Sequence, residues 1–270
     1  MKMRWIYPLA LVALSASSLS SYAQTAGVAG IGHVAFRVTN LEKEVAFLQK
    51  LGYEESFGFP AGGKVNQVFV KVNDHEFVEI YERTDPAQPL GWMHVCYEAD
   101  DINALNTAIA AHGLKPAPVS KAGAGNLIFS LKDPEGRVTE FTQYMPGSRH
   151  WLDRGSHLGA HRVAQQLLGF ELPVPDMAAD KQFYTAGLGL AVQQDKANLK
   201  VQISSKPYPW IELHAAKPVD APQLLFRVPS ASAAAHQLKA QGLTVTRAKK
   251  RITVSDPDGN IFAFVEDSAR

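Results

Sequence analysis

The chain has 270 residues, of which 46% are hydrophobic and 20% are charged, and its formal net charge is +1. This composition is ordinary for a globular protein, and the near-neutral charge argues against nucleic acid or an anionic membrane surface as a partner. The length allows one large domain or two of ~120 residues. The single cysteine, Cys96, excludes an internal disulfide, and we interpret it as a small buried strand residue rather than a nucleophile.

The first 23 residues have the pattern of a secretory signal peptide. Lys2 and Arg4 precede an apolar run, Trp5 to Leu14, that is too short to span a membrane. Small residues then flank Tyr22, and we predict cleavage after Ala23 and a secreted or periplasmic protein. The alternative is a retained N-terminal anchor helix. After cleavage, 25 basic and 26 acidic residues remain, which gives a net charge of −1.

A pattern of an apolar strand, a polar capping residue, a helix and a glycine recurs four times along the rest of the chain. Asn, Asp and Ser suit the N-cap of a helix, and glycine suits its C-terminal end. The predicted first strands and helices are Ile31 to Val38 with Leu41 to Leu51, Met93 to Tyr97 with Asp101 to His112, Leu168 to Val174 with Met177 to Ala186, and Leu224 to Val228 with a helix ending near Gln241. The predicted caps are Thr39 or Asn40, Asp100, Asp176 and Ser230.

Short strand-like runs follow each helix, and two copies share a turn of the form Asp-Pro-Asp/Glu-Gly, which joins strands tightly. These runs are Asn66 to Val72, Glu76 to Tyr81, Leu127 to Leu131, Arg137 to Gln143, Leu199 to Ser204, Trp210 to Ala215, Arg251 to Val254 and Asn260 to Glu266. Each unit therefore reads β-α-β-β-β, with one short strand per copy not clearly visible. We predict an α+β fold of four such units, paired into domains at 24–146 and 165–270. The segment 147–164 reads as a linker with solvated histidines His150, His157 and His161.

Four strands of the first domain each place one metal-binding side chain opposite their apolar face. Because strand side chains alternate between faces, the polar sides carry His33, Glu79, His94 and Glu140. Both His-to-Glu separations are 46 residues, one pair in each unit. A lone histidine in a strand is usually a core or surface residue, but four ligands at equivalent places of a repeat predict a metal site. Two imidazoles and two carboxylates suit one divalent ion, Zn, Ni, Co, Mn or Fe, and leave two octahedral positions open.

The segments Gly-His-Val-Ala-Phe-Arg-Val-Thr-Asn-Leu, Phe-Val-Glu-Ile-Tyr, Met-His-Val-Cys-Tyr and Asp-Pro-Glu-Gly-Arg-Val-Thr-Glu-Phe resemble those of the vicinal-oxygen-chelate (VOC) superfamily. This superfamily contains glyoxalase I (lactoylglutathione lyase), bleomycin resistance proteins and extradiol dioxygenases. The resemblance covers residues 30–266 and implies two VOC domains, each an eight-stranded cup. It also implies metal ligands on the first and last strands of each unit, where His33, Glu79, His94 and Glu140 stand.

The ligand pattern is most similar to that of glyoxalase I, which has a glutamate where Glu79 stands. The resemblance implies a lyase or isomerase that acts on a small substrate with vicinal oxygens through an enediolate-type intermediate. Glu140 or Glu79 would move the proton. An arginine in the place of Arg37 binds substrate in glyoxalase I-like proteins, although Arg37 also suits an ion pair with Glu98.

The second domain has lost the ligand pattern. The four ligand positions are occupied by Gly169, Glu212, Gln223 and Ala263, and His214 beside Glu212 is the only hint of a second site. We therefore interpret this domain as structural or as an apolar half of the pocket.

Two alternatives to the lyase or isomerase remain open. One is an Fe(II) extradiol-type dioxygenase with Glu79 outside the ligand set, and the other is a small-molecule-binding protein of the resistance type without turnover. The expected partner is a small-molecule substrate, and a homodimer is compatible with the sequence.

Overall fold

The structure is a computed structural model that describes residues 27–204, 209–217 and 220–267. The predicted signal peptide lies outside the described residues. Among the helices of these three ranges, none has both the length and the apolar character needed to cross a membrane.

Each of the four units contains four strands and one helix in the predicted order β-α-β-β-β. The first two units comprise β1 (Val28–Val38), α1 (Leu41–Lys50), β2 (Glu54–Ala61), β3 (Lys64–Lys71) and β4 (Phe77–Glu82), then β5 (Gly91–Ala99), α2 (Ile102–Ala111), β6 (Ser120–Lys121), β7 (Leu127–Lys132) and β8 (Val138–Gln143). A short helix, α3 (Arg149–Leu152), follows. The last two units comprise β9 (Leu167–Val174), α4 (Met177–Gln182), β10 (Ala191–Asp195), β11 (Asn198–Gln202) and β12 (Trp210–Ala215), then β13 (Gln223–Val228), α5 (Ala231–Ala240), β14 (Thr246–Ala248), β15 (Arg251–Ser255) and β16 (Ile261–Glu266). A π-helical turn, Phe183–Gly187, continues α4.

The strands form two eight-stranded sheets with the same topology, β2-β3-β4-β1-β5-β8-β7-β6 and β10-β11-β12-β9-β13-β16-β15-β14. Within a unit the first and last strands are parallel neighbours, and the two units of a sheet meet through antiparallel first strands. The first and last strands of both units therefore occupy the centre of each sheet. The fold class predicted from the sequence, four βαβββ modules in two VOC-like halves, is confirmed.

The helix caps follow the sequence prediction except in the second unit. The side chains of Asn40, Asp176 and Ser230 accept hydrogen bonds from backbone N–H groups in the first helical turn. The prediction of Asp100 as a cap is wrong by one residue, because Asp101 accepts these bonds at α2. The N–H of Asp100 instead donates to the carbonyl of Gly27.

The two sheets share one apolar core, which also includes the buried faces of the helices. Aromatic rings of the first domain pack directly on rings of the second, with centroids 5.3–5.6 Å apart. The ring pairs are Phe36–Phe262, Phe47–Phe262, Tyr53–Phe226 and Trp92–Phe170. Because truncating a buried Phe destabilises a protein by about 3–5 kcal/mol, these contacts bind the two domains strongly together.

Each domain also buries one helix carboxyl against the Asp-Pro turn of the other domain. Glu44 of α1 faces Asp256, and burial followed by the Asp256 carboxylate raises the pKa of Glu44 to about 9. Asp180 of α4 faces Glu135, and burial followed by Glu135 raises the pKa of Asp180 to about 7. Arg137 lies 3.9 Å from Asp180 and opposes that shift.

The segment predicted as a linker is folded onto the first domain. Ser148 caps α3, and the buried Lys71 ammonium forms ion pairs with Asp153 at 2.9 Å and Asp74 at 2.8 Å. The expectation that His150 is solvated is wrong, since its exposed fraction is 2%. His157 and His161 are exposed, as expected.

Candidate metal centre

Four adjacent strands, β4, β1, β5 and β8, position the four predicted ligands in the middle of the first sheet. Glu79 and His94 both pair with Ala35 across β1, and Cys96 pairs with His33 on one side and Glu140 on the other. The apolar residues that alternate with these side chains fill the shared core on the opposite face. Hydrophobic burial on one face therefore fixes the register that brings the ligands together on the other.

The ligand atoms of His33, His94 and Glu140 all lie within 4.8 Å of one another, and Glu79 approaches both imidazoles. Nε2 of His33 lies 3.2 Å from Nε2 of His94, and Oε2 of Glu79 lies 3.2 Å from both nitrogens. Oε2 of Glu140 lies 3.4 Å from His94 Nε2 and 3.8 Å from His33 Nε2. Ligands about 2.1 Å from a divalent ion are separated by roughly 3.0–3.4 Å in octahedral or tetrahedral coordination. Four of these five distances match that spacing, and the Glu140–His33 distance of 3.8 Å is longer.

Burial and unpaired atoms also fit a metal. His33, Glu79 and His94 are buried, whereas the side chain of Glu140 is 21% exposed. Oε2 of Glu79, which faces the two imidazoles, has no hydrogen-bond partner among the described residues, and buried polar atoms are rarely left in that state. His33, His94 and Glu140 form a cluster that can hold a divalent ion, the only such cluster within the described ranges.

The carboxylate of Glu79 is held in place by two neighbouring side chains. Its Oε1 accepts hydrogen bonds from Gln67 Nε2 at 2.6 Å and from the Tyr81 hydroxyl at 2.8 Å. Burial acts to raise the pKa of Glu79, but the imidazoles of His33 and His94 lower it well below its ordinary value. Glu79 is therefore an anion with one oxygen fixed and the other directed at the two histidines.

Cys96 lies beside His33 but is not a nucleophile. It is fully buried, and burial raises the pKa of its thiol to about 11. The thiol is therefore protonated at neutral pH, as the interpretation of Cys96 as a buried apolar residue requires.

A pocket of about 200 Å³ lies at the cluster, and His33, Glu79 and Glu140 form part of its wall. Other parts of the wall are mostly apolar or aromatic, and they include Phe59, Phe69, Tyr81, Ile128 and His150. Pockets for drug-sized ligands are typically ~300–1,000 Å³. This pocket therefore suits a small molecule.

Arg37 does not line this pocket. Its guanidinium is half-buried and donates a hydrogen bond to the carbonyl of Pro89 at 3.2 Å. The alternative ion pair of Arg37 with Glu98 is also not formed, because Glu98 accepts from His75 at 2.9 Å.

The sequence reading missed three side chains at the site. Gln67 and Tyr81 stand at alternate strand positions on the face of Glu79, which is a signal in the sequence. His150 carries no such signal, because it lies on a one-turn helix outside the repeat and reaches the pocket through tertiary contacts.

The corresponding face of the second sheet is filled by apolar side chains, and Glu212 and Gln223 there are hydrogen-bonded to neighbouring side chains. Leu168, Trp210, Leu225 and Ala263 pack together there. Glu212 accepts a hydrogen bond from Asn198 at 2.7 Å, and Gln223 accepts one from Arg251 at 2.7 Å. His214 lies 3.8 Å from Asp220 and forms no metal cluster with Glu212 within the described residues.

Comparisons with known proteins agree with this architecture. Residues 23–129 match the profile of the Glyoxalase/Bleomycin resistance protein/Dioxygenase superfamily. No curated protein shows significant similarity to the chain.

Solved structures with the same fold include dioxygenases and a glyoxalase. The 2,3-dioxygenase LapB from Pseudomonas sp. KL28 has a TM-score of 0.69 at 20% identity, and 91% of this chain and 94% of that chain are covered. The Mn(II)-bound glyoxalase from Novosphingobium aromaticivorans has a TM-score of 0.67 at 19% identity, with 88% and 82% covered. A catechol 2,3-dioxygenase has a TM-score of 0.69 at 15% identity, with 89% and 88% covered.

At these identities the solved structures establish the fold, and both kinds of enzyme share it equally. The profile match in the first domain, the βαβββ repeat and the paired sheets point to one superfamily. Residues 23–129 of the chain match the glyoxalase/bleomycin resistance protein/dioxygenase, or VOC, superfamily, and the second sheet repeats the strand order of the first.

Proposed function

We propose that the first domain binds one divalent metal through His33, His94, Glu140 and Glu79, and that the protein is a glyoxalase-like lyase or isomerase. Its substrate would be a small molecule with two adjacent oxygens. The observation that carries the proposal is the cluster of His33, His94 and Glu140 beside a small pocket, with Glu79 Oε2 3.2 Å from both imidazoles. Zn, Ni, Co, Mn and Fe all suit this mixture of imidazole and carboxylate ligands.

The two glutamates differ in freedom, and this difference supports separate roles for them. A bound metal would act as a Lewis acid that stabilises negative charge on the substrate oxygens. Glu79 is tied at Oε1 by Gln67 and Tyr81, so it is the fixed ligand. Glu140 is partly exposed and lines the pocket, so it is the carboxylate that can swing toward substrate and transfer a proton between adjacent carbons.

An extradiol-type dioxygenase is the second candidate, and one observation favours it. His33, His94 and Glu140 form a two-histidine, one-carboxylate triad, which is the ligand set typical of non-haem Fe(II) oxygenases. In that case Glu79 would be a charged neighbour outside the ligand set. A resistance-type protein that binds a small molecule without turnover is the remaining alternative.

The location and partners of the protein are also proposals. The predicted signal peptide supports export to the periplasm or the medium, with cleavage after Ala23. Detection of the processed chain in a periplasmic extract would test this, and an unprocessed chain in the membrane fraction would favour an anchor. The proposed partner is the small-molecule substrate. The proposal is compatible with either a monomer or a homodimer.

The first experiment measures metal content by mass spectrometry on purified residues 24–270. We expect about one metal per chain in the wild type and its loss in His94→Ala. Glu212→Gln is the matched control, since Glu212 occupies the Glu79 position of the second domain and should not affect metal content. Wild-type protein that binds no metal after reconstitution would refute the metal site and leave a binding protein.

The second experiment separates the two reactions. Zinc-loaded protein in D₂O should exchange the carbon-bound protons of dihydroxyacetone, as seen by NMR, and Glu140→Gln should abolish exchange. Iron-loaded protein should consume dioxygen with catechol only if the dioxygenase reading is correct. If the protein binds metal but shows neither activity, the result would favour the resistance-type protein.

A further inference from the structure

His150 is a buried imidazole in the wall of the metal-site pocket that the proposed chemistry does not use. It lies on α3, outside the repeated units, and does not belong to the cluster of metal-binding side chains. Its ring stacks on Tyr144 with centroids 4.6 Å apart. The rings of Phe57, Phe69 and Phe77 meet it edge-on at 4.8–4.9 Å. Four aromatic side chains therefore fix the orientation of this ring.

Charged side chains at both ends of α3, the helix that carries His150, attach it to the first domain. Asp153, at the end of α3, forms an ion pair with the fully buried Lys71 ammonium at 2.9 Å. On the opposite side, the Arg149 guanidinium lies 4.5 Å from the ring centroid of Phe59, another pocket residue, and donates to the carbonyl of Gly58 at 2.8 Å. Such support is expected of a group whose position matters, because a solvated linker residue needs none.

The hydrogen bonds of His150 leave one donor without a partner. Nδ2 of Asn126 lies 2.8 Å from Nδ1 of the imidazole and donates to it, so the ring proton resides on Nε2. Nε2 is buried and has no hydrogen-bond partner among the residues that the structure describes. Burial lowers the pKa of His150 to about 3, so the ring is neutral at physiological pH. A neutral, oriented N–H group next to the pocket thus lacks an acceptor.

We propose that His150 is a substrate-recognition residue, and that its Nε2–H donates to an acceptor oxygen that the ligand carries in addition to its two metal-binding oxygens. The inference rests on the proposed function, since the same pocket must hold both groups. The acceptor is a carbonyl or carboxylate oxygen. The remainder of the ligand is small and apolar or planar, because Phe59, Phe69 and Ile128 line the pocket.

Calorimetric titration of zinc-loaded protein with three probes tests this, since zinc supports binding without redox turnover. Catechol offers two vicinal oxygens. The probes 2,3- and 3,4-dihydroxybenzoate add a carboxylate at two different distances from those oxygens. We expect His150→Phe to weaken binding of at least one dihydroxybenzoate roughly tenfold, the value of a hydrogen bond to a charged acceptor. Affinity for catechol and zinc content should not change. Leu152→Ala, on the same helix at 71% exposure, is the matched control.

Two further variants keep the test decisive. His150→Gln retains a donor near the Nε2 position and should recover part of the lost affinity. His150→Asn keeps an amide near Nδ1 but removes the donor, so it replaces the Phe variant if that protein does not fold.

Each other outcome overturns the inference. Equal weakening for catechol and both dihydroxybenzoates would mean that His150 only maintains the pocket. Unchanged affinity for all three would mean that Nε2 contacts no ligand. Zinc binding without binding of any probe would refute the ligand class while the metal site stands, whereas failure to bind zinc would refute the proposed function itself.

Discussion

Replacing Glu44 with glutamine should stabilise the protein, and the gain should grow with pH. The Glu44 side chain is 1% exposed, and within the described part of the chain neither carboxylate oxygen has a hydrogen-bond partner. Burial, followed by the nearby Asp256 and Asp258 carboxylates, raises its pKa in the folded state from 4.5 to about 9. Below pH 4.5 both folded and unfolded chains are protonated at this residue, so it has no pH-dependent effect there.

Between pH 4.5 and 9 the unfolded chain ionises while the folded chain retains the proton, so stability falls as pH rises. Each pH unit is equivalent to about 1.4 kcal/mol, which gives a loss of about 3 kcal/mol at pH 7 and about 6 kcal/mol at pH 9 as upper values. Glutamine has a similar shape and no such loss. The Glu44→Gln protein should therefore be more stable by up to about 3 kcal/mol at pH 7, or roughly 6–12 °C in Tm.

Urea unfolding followed by circular dichroism at pH 5, 7 and 9 measures this difference. Glu42→Gln is the matched control, because Glu42 lies on the same turn of α1 and is exposed. The reasoning would be refuted if Glu44→Gln were no more stable than the wild type at pH 9. A difference that did not increase with pH would refute it equally.

Three further outcomes follow from buried polar contacts. Lys71→Met should destabilise the protein by about 3–5 kcal/mol in urea unfolding, because the buried Asp153 would keep only His157 as a partner and the carbonyls of Asp153 and Ser156 would lose their donor; an unchanged midpoint would contradict this. Tyr81→Phe should weaken metal binding about tenfold in a competition titration, because Glu79 loses the hydroxyl that fixes it; equal affinity would show that Gln67 alone suffices. Asp180→Asn should also stabilise the protein, with a gain that levels off near pH 7 and is smaller than for Glu44 because an arginine faces it; a larger gain would argue against that arginine.

The central strands and the ligands were predictable because they obey a two-residue alternation. Val34 and Phe36 point into the core, so His33 must point to the other face, and the repeat supplies the same logic three more times. Edge strands such as β6 and β14 were not visible, because they span two and three residues and are exposed on every side chain. Hydrophobic periodicity carries no information where nothing is buried.

The folded linker could not be predicted for a different physical reason. His150 is buried because distant parts of the chain hold α3 in place, among them Lys71, which pairs with Asp153 82 residues later in the sequence. The sequence around His150 is polar and contains glycines, and local composition there indicates a solvated turn. A contact between residues so far apart leaves no local pattern, so only the three-dimensional structure shows that the segment completes the pocket.

The shared aromatic core makes the two faces of the second sheet differ in what a substitution there would disturb. On the core side, Phe226 and Phe262 pack against rings of the first domain, so substitutions there would also loosen the sheet that carries the metal cluster. On the other side, Gln223 accepts a hydrogen bond from Arg251 and Ala263 packs with Leu168, Trp210 and Leu225, all within the second domain. The face of the second domain that holds the ligand positions could thus lose its metal ligands. The other face was retained because it supports the first domain.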